Sequence, residues 1–365
     1  MKNLEIKLKE RVVPIVIGQE LLEATGKMLS VRSKPARAAI VTDINVGPLY
    51  AARVRASLDA AGIANTVIVL PAGEETKSFE QLRVVYDGFL DAGIARSDAV
   101  IALGGGVIGD LAGFAAASFL RGVRLVQIPT TLLAMIDSAI GGKTGVNLPR
   151  GKNLVGAFYQ PAFVLSDTDC LTTLPPDTLR DGMAEVVKYA CIRDAKLFSI
   201  LETALDLGEL LRKPEEVIYR CAAIKAGIVG RDELEGGERM LLNFGHTIGH
   251  AVEKTAGYGK YGHGEAVAIG MSAITRNSER ERLTEPGASA RLDRLLIKFG
   301  LPLAADGIGT GDLIEAAAFD KKRDGNDIRL ILLRKIGEAI IRKVGKEDLE
   351  RFFRSAGEPR KEAAT

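Results

Sequence analysis

"DAVIALGGGVIGDLAGFAAASFL", residues 98 to 120, decides how the rest of the chain is read. A short, continuously apolar run leads into Gly104, Gly105, Gly106 and Gly109, and a helix of small residues follows. This is the pattern of a strand that turns into a helix. Glycine lets backbone N–H groups approach a pyrophosphate, and the helix N-terminus adds its dipole. The spacing is not G-x-G-x-x-G, so alone it says only that an anion can sit at a βα turn. The competing reading is a tight turn that binds nothing, but four glycines exceed what turning requires.

Working outward, more apolar strands appear at "ARAAIVTD", "ANTVIVLP", "VRLVQIP" and "AFVLSD", with helix-length segments such as "SFEQLRVVYDGFLDAG" between the early ones. Apolar strands alternating with helices predict a parallel sheet covered on both faces, a Rossmann-like α/β domain. Before it, "LEIKLKERVVPIVIG" alternates like a hairpin. Past "TTLPPDT" the strand signal nearly vanishes and successive amphipathic helices follow, apart from "DIRLILLRKIGEAIIRKV", which reads as a late hairpin bent at "IGE". The expected organisation is an α/β domain over 1–174, a mostly α-helical domain over 175–356, and a disordered tail, "GEPRKEAAT", over 357–365.

Composition narrows the function. Lys and Arg number 49 against 47 Asp and Glu, a formal charge of +2, so no whole-molecule field recruits nucleic acid or a membrane surface. Any anion is bound locally. No apolar run approaches the roughly 20 residues that span a bilayer. Cys170, Cys191 and Cys221 lack ligand spacing, and the N-terminus has no apolar signal region, which fits a reduced cytoplasm.

Several groups carry candidate chemistry. Asp43 ends a strand, where an acidic residue can accept hydrogen bonds from ribose hydroxyls; "GEETK" (73–77) and "PTT" (129–131) also follow strands, on the edge where open α/β sheets bind ligands. "MIDSAIGGKTGVN" and "RGKNLVGAF" bring Asp137, Lys143, Lys152 and Asn153 into two glycine-rich loops, where an ammonium can act as a point charge on phosphate. A solvated surface lysine is the bland alternative. "DGMAEVVKYA" sets Glu185 and Lys188 on one helical face, indistinguishable by spacing from a surface ion pair. All three histidines of the chain fall within "NFGHTIGHAVE" and "YGHGEAVAIG": His246 and His250 four apart on one face, and His263 opening the next helix. A glutamate with two histidines would make a three-ligand catalytic metal site with an open position. Spacing leaves open which histidine stands outside it, and buried core histidines are the alternative.

Taken together, "GGGVIGDLAGFAAASFLRG", "PTTLLAMIDSAIGGKTGVNLPRGKNLVGAFYQP", "LPPDTLRDGMAEVVKYA", "ERMLLNFGHTIGHAVE", "YGHGEAVAIGM" and "DKKRDG" closely resemble the 3-dehydroquinate synthase family, in matching order from about residue 40 to residue 335. The resemblance implies that fold, a shikimate-pathway lyase activity, NAD, one divalent metal (zinc or cobalt) and a cytoplasmic homodimer. By the family pattern Glu185, His246 and His263 are metal ligands. His250 falls on a proton-handling position. Positions that contact NAD in the family match Asp43, Asn45, Glu74, Lys77, Gly105, Gly106, Val107, Asp110, Thr130, Thr131 and Thr173, with Lys143 and Lys152 beside them. Substrate positions match Arg121, Asp137, Lys143, Lys152, Asn153, Lys188, Lys225, Arg239, Asn243 and one of Lys321 and Lys322. Most are cationic, as a bisanionic sugar phosphate requires. Ala139 and Ala72 depart from the pattern, standing where relatives often carry serine and an acidic residue, and neither is a metal or phosphate position.

The family reaction takes 3-deoxy-D-arabino-heptulosonate 7-phosphate to 3-dehydroquinate and phosphate through transient oxidation by NAD, phosphate elimination, reduction and intramolecular aldol closure. The strongest rival is a metal- and NAD-dependent alcohol dehydrogenase of the glycerol dehydrogenase type, which releases NADH and has no need of lysines at 143, 152 and 188.

Overall fold

A computed structural model describes residues 1–257, 259–320, 327–345, 348–354 and 356. Lys321 and Lys322, and the tail 357–365, lie outside the described residues. Two compact units form: Met1–Pro175 with Ile218–Leu234, and Pro176–Val217 with Glu235–Thr365. A single cut near Pro175 therefore does not describe the division, because one later helix returns to the first unit. No helix among the described residues is long and apolar enough to cross a membrane.

The first unit is built on strands β1 (Lys2–Lys7), β2 (Val12–Gly18), β3 (Arg37–Asp43), β4 (Ala64–Leu70), β5 (Ala99–Gly104), β6 (Arg124–Pro129), β7 (Lys143–Leu148), β8 (Gly151–Phe158) and β9 (Phe163–Asp167). Its helices are α1 (Thr25–Arg32), α2 (Ala52–Ala60), α3 (Phe79–Asp91) and α4 (Gly106–Ser118). Seven strands make one sheet in the order β1-β2-β9-β6-β5-β3-β4, parallel except for the antiparallel β1–β2 pair at one edge. Every residue of β5 is buried, which is why its sequence is apolar without alternation. Ser78 starts α3 by accepting a hydrogen bond from the Gln81 amide at 3.3 Å. Helix α4 buries Ile108, Leu111, Ala112, Ala115 and Ala116 in the main core of this unit.

One expectation is corrected. "GKTGVN" and "RGKN" are not loops: β7 and β8 pair as a separate antiparallel hairpin, with Lys143 opposite Phe158 and Leu148 opposite Gly151. Strand β8 alternates between intermediate and exposed residues and carries glycines, so it has neither the apolar run nor the clean alternation that marks a strand.

The second unit contains α5 (Pro176–Arg193), α6 (Ala195–Thr203), α7 (Leu207–Leu211), α9 (His246–Ala256), α10 (His263–Arg280), α11 (Ala288–Lys298), α12 (Thr310–Asp320) and α13 (Leu349–Phe353), with the late hairpin β10 (Asp327–Lys335) and β11 (Glu338–Gly345). Most of α8 (Pro214–Arg231) belongs to the first unit. Helix α5 is buried continuously from Gly182 to Ile192, and α10 from Ala266 to Thr275. Helices α9 and α10 approach closely through Gly270: a Cβ there would lie 2.0 Å from the Gly245 carbonyl oxygen. Gly245 itself caps α9 at φ +81°, a left-handed conformation that favours glycine.

Candidate active site

Two groups of functional side chains result, one in each unit. In the first unit, β6, β5, β3 and β4 are neighbours, and their carboxyl ends deliver Thr130 and Thr131, Gly105 and Gly106, Asp43, and Glu74 to one sheet edge. Helix α4 begins at Gly106, so its first N–H groups, which have no intrahelical acceptors, open at this edge. A Cβ on Gly105 would lie 3.2 Å from the Thr131 methyl, and one on Gly106 3.0 Å from the Ser138 hydroxyl. The turn is a cradle that side chains would fill. Thr130 is buried, its amide donates to the Gly104 carbonyl at 3.0 Å, and its hydroxyl has no hydrogen-bond partner among the described residues. A glycine cradle beside a helix N-terminus and a buried orphan hydroxyl fits a bound dinucleotide phosphate.

The neighbouring groups are organised around Lys77, a buried residue. Its Nζ lies 2.7 Å from Asp110 Oδ2 in the second turn of α4, 2.5 Å from Asn153 Oδ1 in the hairpin, and 3.8 Å from Glu74 Oε1. Burial pushes the Asp110 carboxyl above its ordinary range, and the Lys77 charge opposes that rise. Asn147 completes the network: its amide nitrogen donates to Glu74 at 2.8 Å and its oxygen accepts from the Asn153 backbone at 2.8 Å. Sequence reading passed over Asn147 although it ends the quoted "GGKTGVN". Asn153 adopts φ +57°, which asparagine tolerates better than most residues. Asp43 Oδ1 accepts the Asn45 and Val46 amides at 2.8 and 2.9 Å, so it also shapes its own turn.

Val107 is half-buried in the first turn of α4. Thr173 shares a short hydroxyl contact with Tyr50. Lys225, returned to this unit by α8, donates to the Asp137 carbonyl at 2.7 Å and to its carboxylate at 2.8 Å. Lys143 opens β7 and is exposed, and Lys152 is half-buried in β8. Arg121 is the exception. It follows α4, whose 13 residues run about 20 Å back from the glycine turn. It therefore lies exposed at the amino edge of the sheet, away from the rest of this group.

In the second unit, Glu185 and Lys188 form an ion pair with both side chains 1% exposed. It is not the surface pair that spacing alone allowed, and a buried pair is costly to keep unless it does something else. The Glu238–Asn243 turn carries Arg239, which is 1% exposed, and Asn243, which donates to Glu235 at 3.2 Å; Gly245 then launches α9 and its histidines. Ring centroids lie 5.5 Å apart for His246 and His250, 5.3 Å for His246 and His263, and 6.1 Å for His250 and His263. All three histidines thus meet in one place.

His246 is held as a ligand would be. Its Nδ1 sits 3.2 Å from the Phe244 carbonyl oxygen, and its Nε2 faces Glu185 at 3.5 Å. Burial, with help from the positive charge of Lys188, holds its pKa well below the ordinary imidazole value, so the neutral ring presents a lone pair. His263 is moved the other way. Burial alone would lower it, but Glu253, Glu185 and Asp181 together raise it. Donor atoms of Glu185, His246 and His263 all lie within 4.8 Å of one another, as do those of His250, Glu253 and His263. One carboxylate and two imidazoles suit a divalent ion of the zinc or cobalt type. Sequence reading missed Glu253 and Asp181, both of which lie inside quoted motifs; Glu253 falls seven residues after His246, on the same helical face.

Residues 67–181 match the family described as 3-dehydroquinate synthase N-terminal, and residues 182–323 match 3-dehydroquinate synthase C-terminal. A 3-dehydroquinate synthase from Clostridium beijerinckii is 45% identical over 347 residues, covering 95% of this chain and 99% of that protein. Among solved structures, a 2-deoxy-scyllo-inosose synthase complexed with carbaglucose-6-phosphate, NAD+ and Co2+ superposes with a TM-score of 0.86 at 27% identity, over 97% of this chain and 100% of that one. A 2-epi-5-epi-valiolone synthase from Streptomyces hygroscopicus, with NAD+ and Zn2+ bound, gives 0.83 at 31% identity, over 94% of this chain and 96% of the other.

Proposed function

This chain belongs to the 3-dehydroquinate synthase family, and from that premise we propose how its residues divide the reaction. The enzyme converts 3-deoxy-D-arabino-heptulosonate 7-phosphate into 3-dehydroquinate and phosphate. Two relatives were solved with NAD+ and with Co2+ or Zn2+, and this chain takes NAD and one such ion in our reading. When bound, the ion supplies Lewis acidity to a substrate hydroxyl and NAD supplies a hydride acceptor.

Glu185, His246 and His263 hold the ion. His250, whose ring adjoins both histidines, moves a proton on the substrate side. Lys188, its charge buried beside Glu185, and Arg239 bind substrate anions, and Asn243 orients a hydroxyl. Asp43, Asn45, Glu74, Lys77, Asp110, Thr130, Thr131 and Thr173 line the dinucleotide edge around the Gly105–Gly106 turn, with Val107 beside it. Lys143, Lys152 and Asn153 present the hairpin to the phosphate, and Lys225 fixes Asp137 against the substrate. Arg121, at the opposite sheet edge from these groups, serves a substrate bound by a second copy, which goes with a homodimer. Cys170, Cys191 and Cys221 are buried thiols outside any disulfide, which supports a cytoplasmic setting.

The observation that carries this reading is the convergence of all three histidines on the buried Glu185–Lys188 pair. Metal analysis of single variants tests it. His246→Ala loses the ion, whereas His250→Ala keeps the ion and loses turnover. If His250→Ala empties the site while His263→Ala retains the ion, the ligand set is His250-centred and the assignment is wrong.

A further inference from the structure

Each ligand histidine has a second ring nitrogen that must be satisfied, and the two rings meet different partners. For His246 the partner is the Phe244 carbonyl oxygen, 3.2 Å from Nδ1, which leaves Nε2 toward Glu185. For His263 the Nδ1 side faces Glu253 Oε2 at 3.6 Å. Glu253 is only 8% exposed, although it is a carboxylate near the middle of a helix. It lies three residues after His250 and seven after His246, so α9 aims all three at the same neighbour. The backbone around His263 is held independently. The Gly264 amide donates to Asp181 Oδ1, and the Gly262 amide donates to Glu265 Oε2 at 2.9 Å. Those bonds place the start of α10 but leave the imidazole free to rotate about its own side-chain bonds. The group positioned to stop that rotation is Glu253.

We propose that Glu253 is a positioning residue: its carboxylate accepts the Nδ1 proton of His263 and fixes the ring so that Nε2 ligates the ion. This rests on the assignment of His263 as a ligand and extends it. Outer carboxylates of this kind set the tautomer and orientation of a ligating histidine and raise its basicity. Glu253 also belongs to the second donor set, with His250 and His263, so the competing role is direct ligation of an ion.

Cobalt binding to the full-length protein, stripped by chelator and titrated against a competing chelator, separates these roles. Wild type binds one Co2+ per chain. Glu253→Ala still binds one, about 10- to 100-fold more weakly, with its visible ligand-field bands displaced because the His263 ring is no longer held. Glu253→Gln keeps one acceptor oxygen and falls between the two, and it gives the reading if the alanine variant does not fold. Unchanged affinity and an unchanged cobalt spectrum in both variants overturn the proposal. So does wild type binding two ions where Glu253→Ala binds one, which makes Glu253 a ligand. His263→Ala in the same titration keeps the two levels apart. If it binds as wild type does, the ligand assignment itself falls; if it loses the ion while Glu253→Ala keeps wild-type affinity and spectrum, only the role of Glu253 falls.

Discussion

The glycine turn of the first unit and the histidine cluster of the second solve the same problem, holding a charged partner, by opposite means. At Gly105 and Gly106 the proposed binding groups are backbone N–H donors left open by the absence of side chains, and a Cβ would meet Thr131 or Ser138. At Glu185, His246 and His263 the proposed binding groups are side chains on three segments, and each has a second contact that would hold its aim: Lys188 on Glu185, the Phe244 carbonyl on His246, Glu253 on His263. A backbone site is specified by a few adjacent glycines and is written locally in the sequence. A side-chain site is specified by helix packing, and part of its apparatus is written as ordinary core.

The largest effect expected from this contrast is at the proposed metal ligands. His246→Ala should leave no ion at the site and lower turnover about a thousandfold or more, the scale of several kcal/mol of Lewis-acid stabilisation, while NAD affinity by calorimetry stays near wild type. Glu185→Ala should do the same and also lower the melting temperature, because it strands the Lys188 charge in the interior. Loss of NAD binding in His246→Ala would break the comparison, since the two sites would then not be separable.

Next comes the hairpin. Lys152→Ala should lower kcat/KM by the equivalent of about 1.5–3 kcal/mol, the value of a charge-assisted contact, and affect NAD binding far less. Unchanged kinetics would return the lysine to the solvent-exposed reading.

A smaller effect tests whether the side-chain site depends on close helix packing. Gly270→Ala puts a methyl group 2.0 Å from the Gly245 carbonyl oxygen, so α9 and α10 must separate. Destabilisation of about 1–3 kcal/mol in denaturant unfolding, with weakened metal affinity, is the expected result. Full metal affinity in a destabilised protein would show that the histidines tolerate the shift.

The smallest effect is at the backbone site. Gly106→Ala meets only the end of the Ser138 side chain at 3.0 Å, which can move, so the cost is the donor geometry alone. NAD binding should weaken by about 1 kcal/mol, roughly fivefold, with metal content unchanged. A change in metal content instead would erase the distinction between the two sites.

The same contrast explains what the sequence made legible. Strands β3, β5, β6 and β9 were readable because burial on both faces forces continuous apolar runs, and the partly buried edge strand β4 was readable from its β-branched "TVIVL". The β7–β8 hairpin was not, because both strands carry glycine and β8 is exposed without a clean alternation, which spells a loop. Nor was the return of Ile218–Leu234 to the first unit, since an amphipathic pattern says that a helix buries a face but not against which core. The pairing of Lys225 with Asp137, 88 residues apart, follows from that return and from nothing local. Spacing placed His246 and His250 on one face but could not rank them. Geometry draws both toward His263, in two donor sets, and the family pattern selects the set with Glu185. Glu253 was hidden because a glutamate seven residues after a histidine looks like any helix-surface residue until its burial is known.

The central claim is that the hydride site and the phosphate site act in one turnover, so that NAD is used and restored while phosphate leaves. The direct measurement is a reaction of the metal-loaded protein with 3-deoxy-D-arabino-heptulosonate 7-phosphate and a substoichiometric amount of NAD, following free phosphate and nicotinamide absorbance together. The expected result is many phosphates released per NAD, 3-dehydroquinate in equal amount, and no accumulation of NADH. Stoichiometric NADH without phosphate release would contradict it and identify the chain as a dehydrogenase built on the same fold.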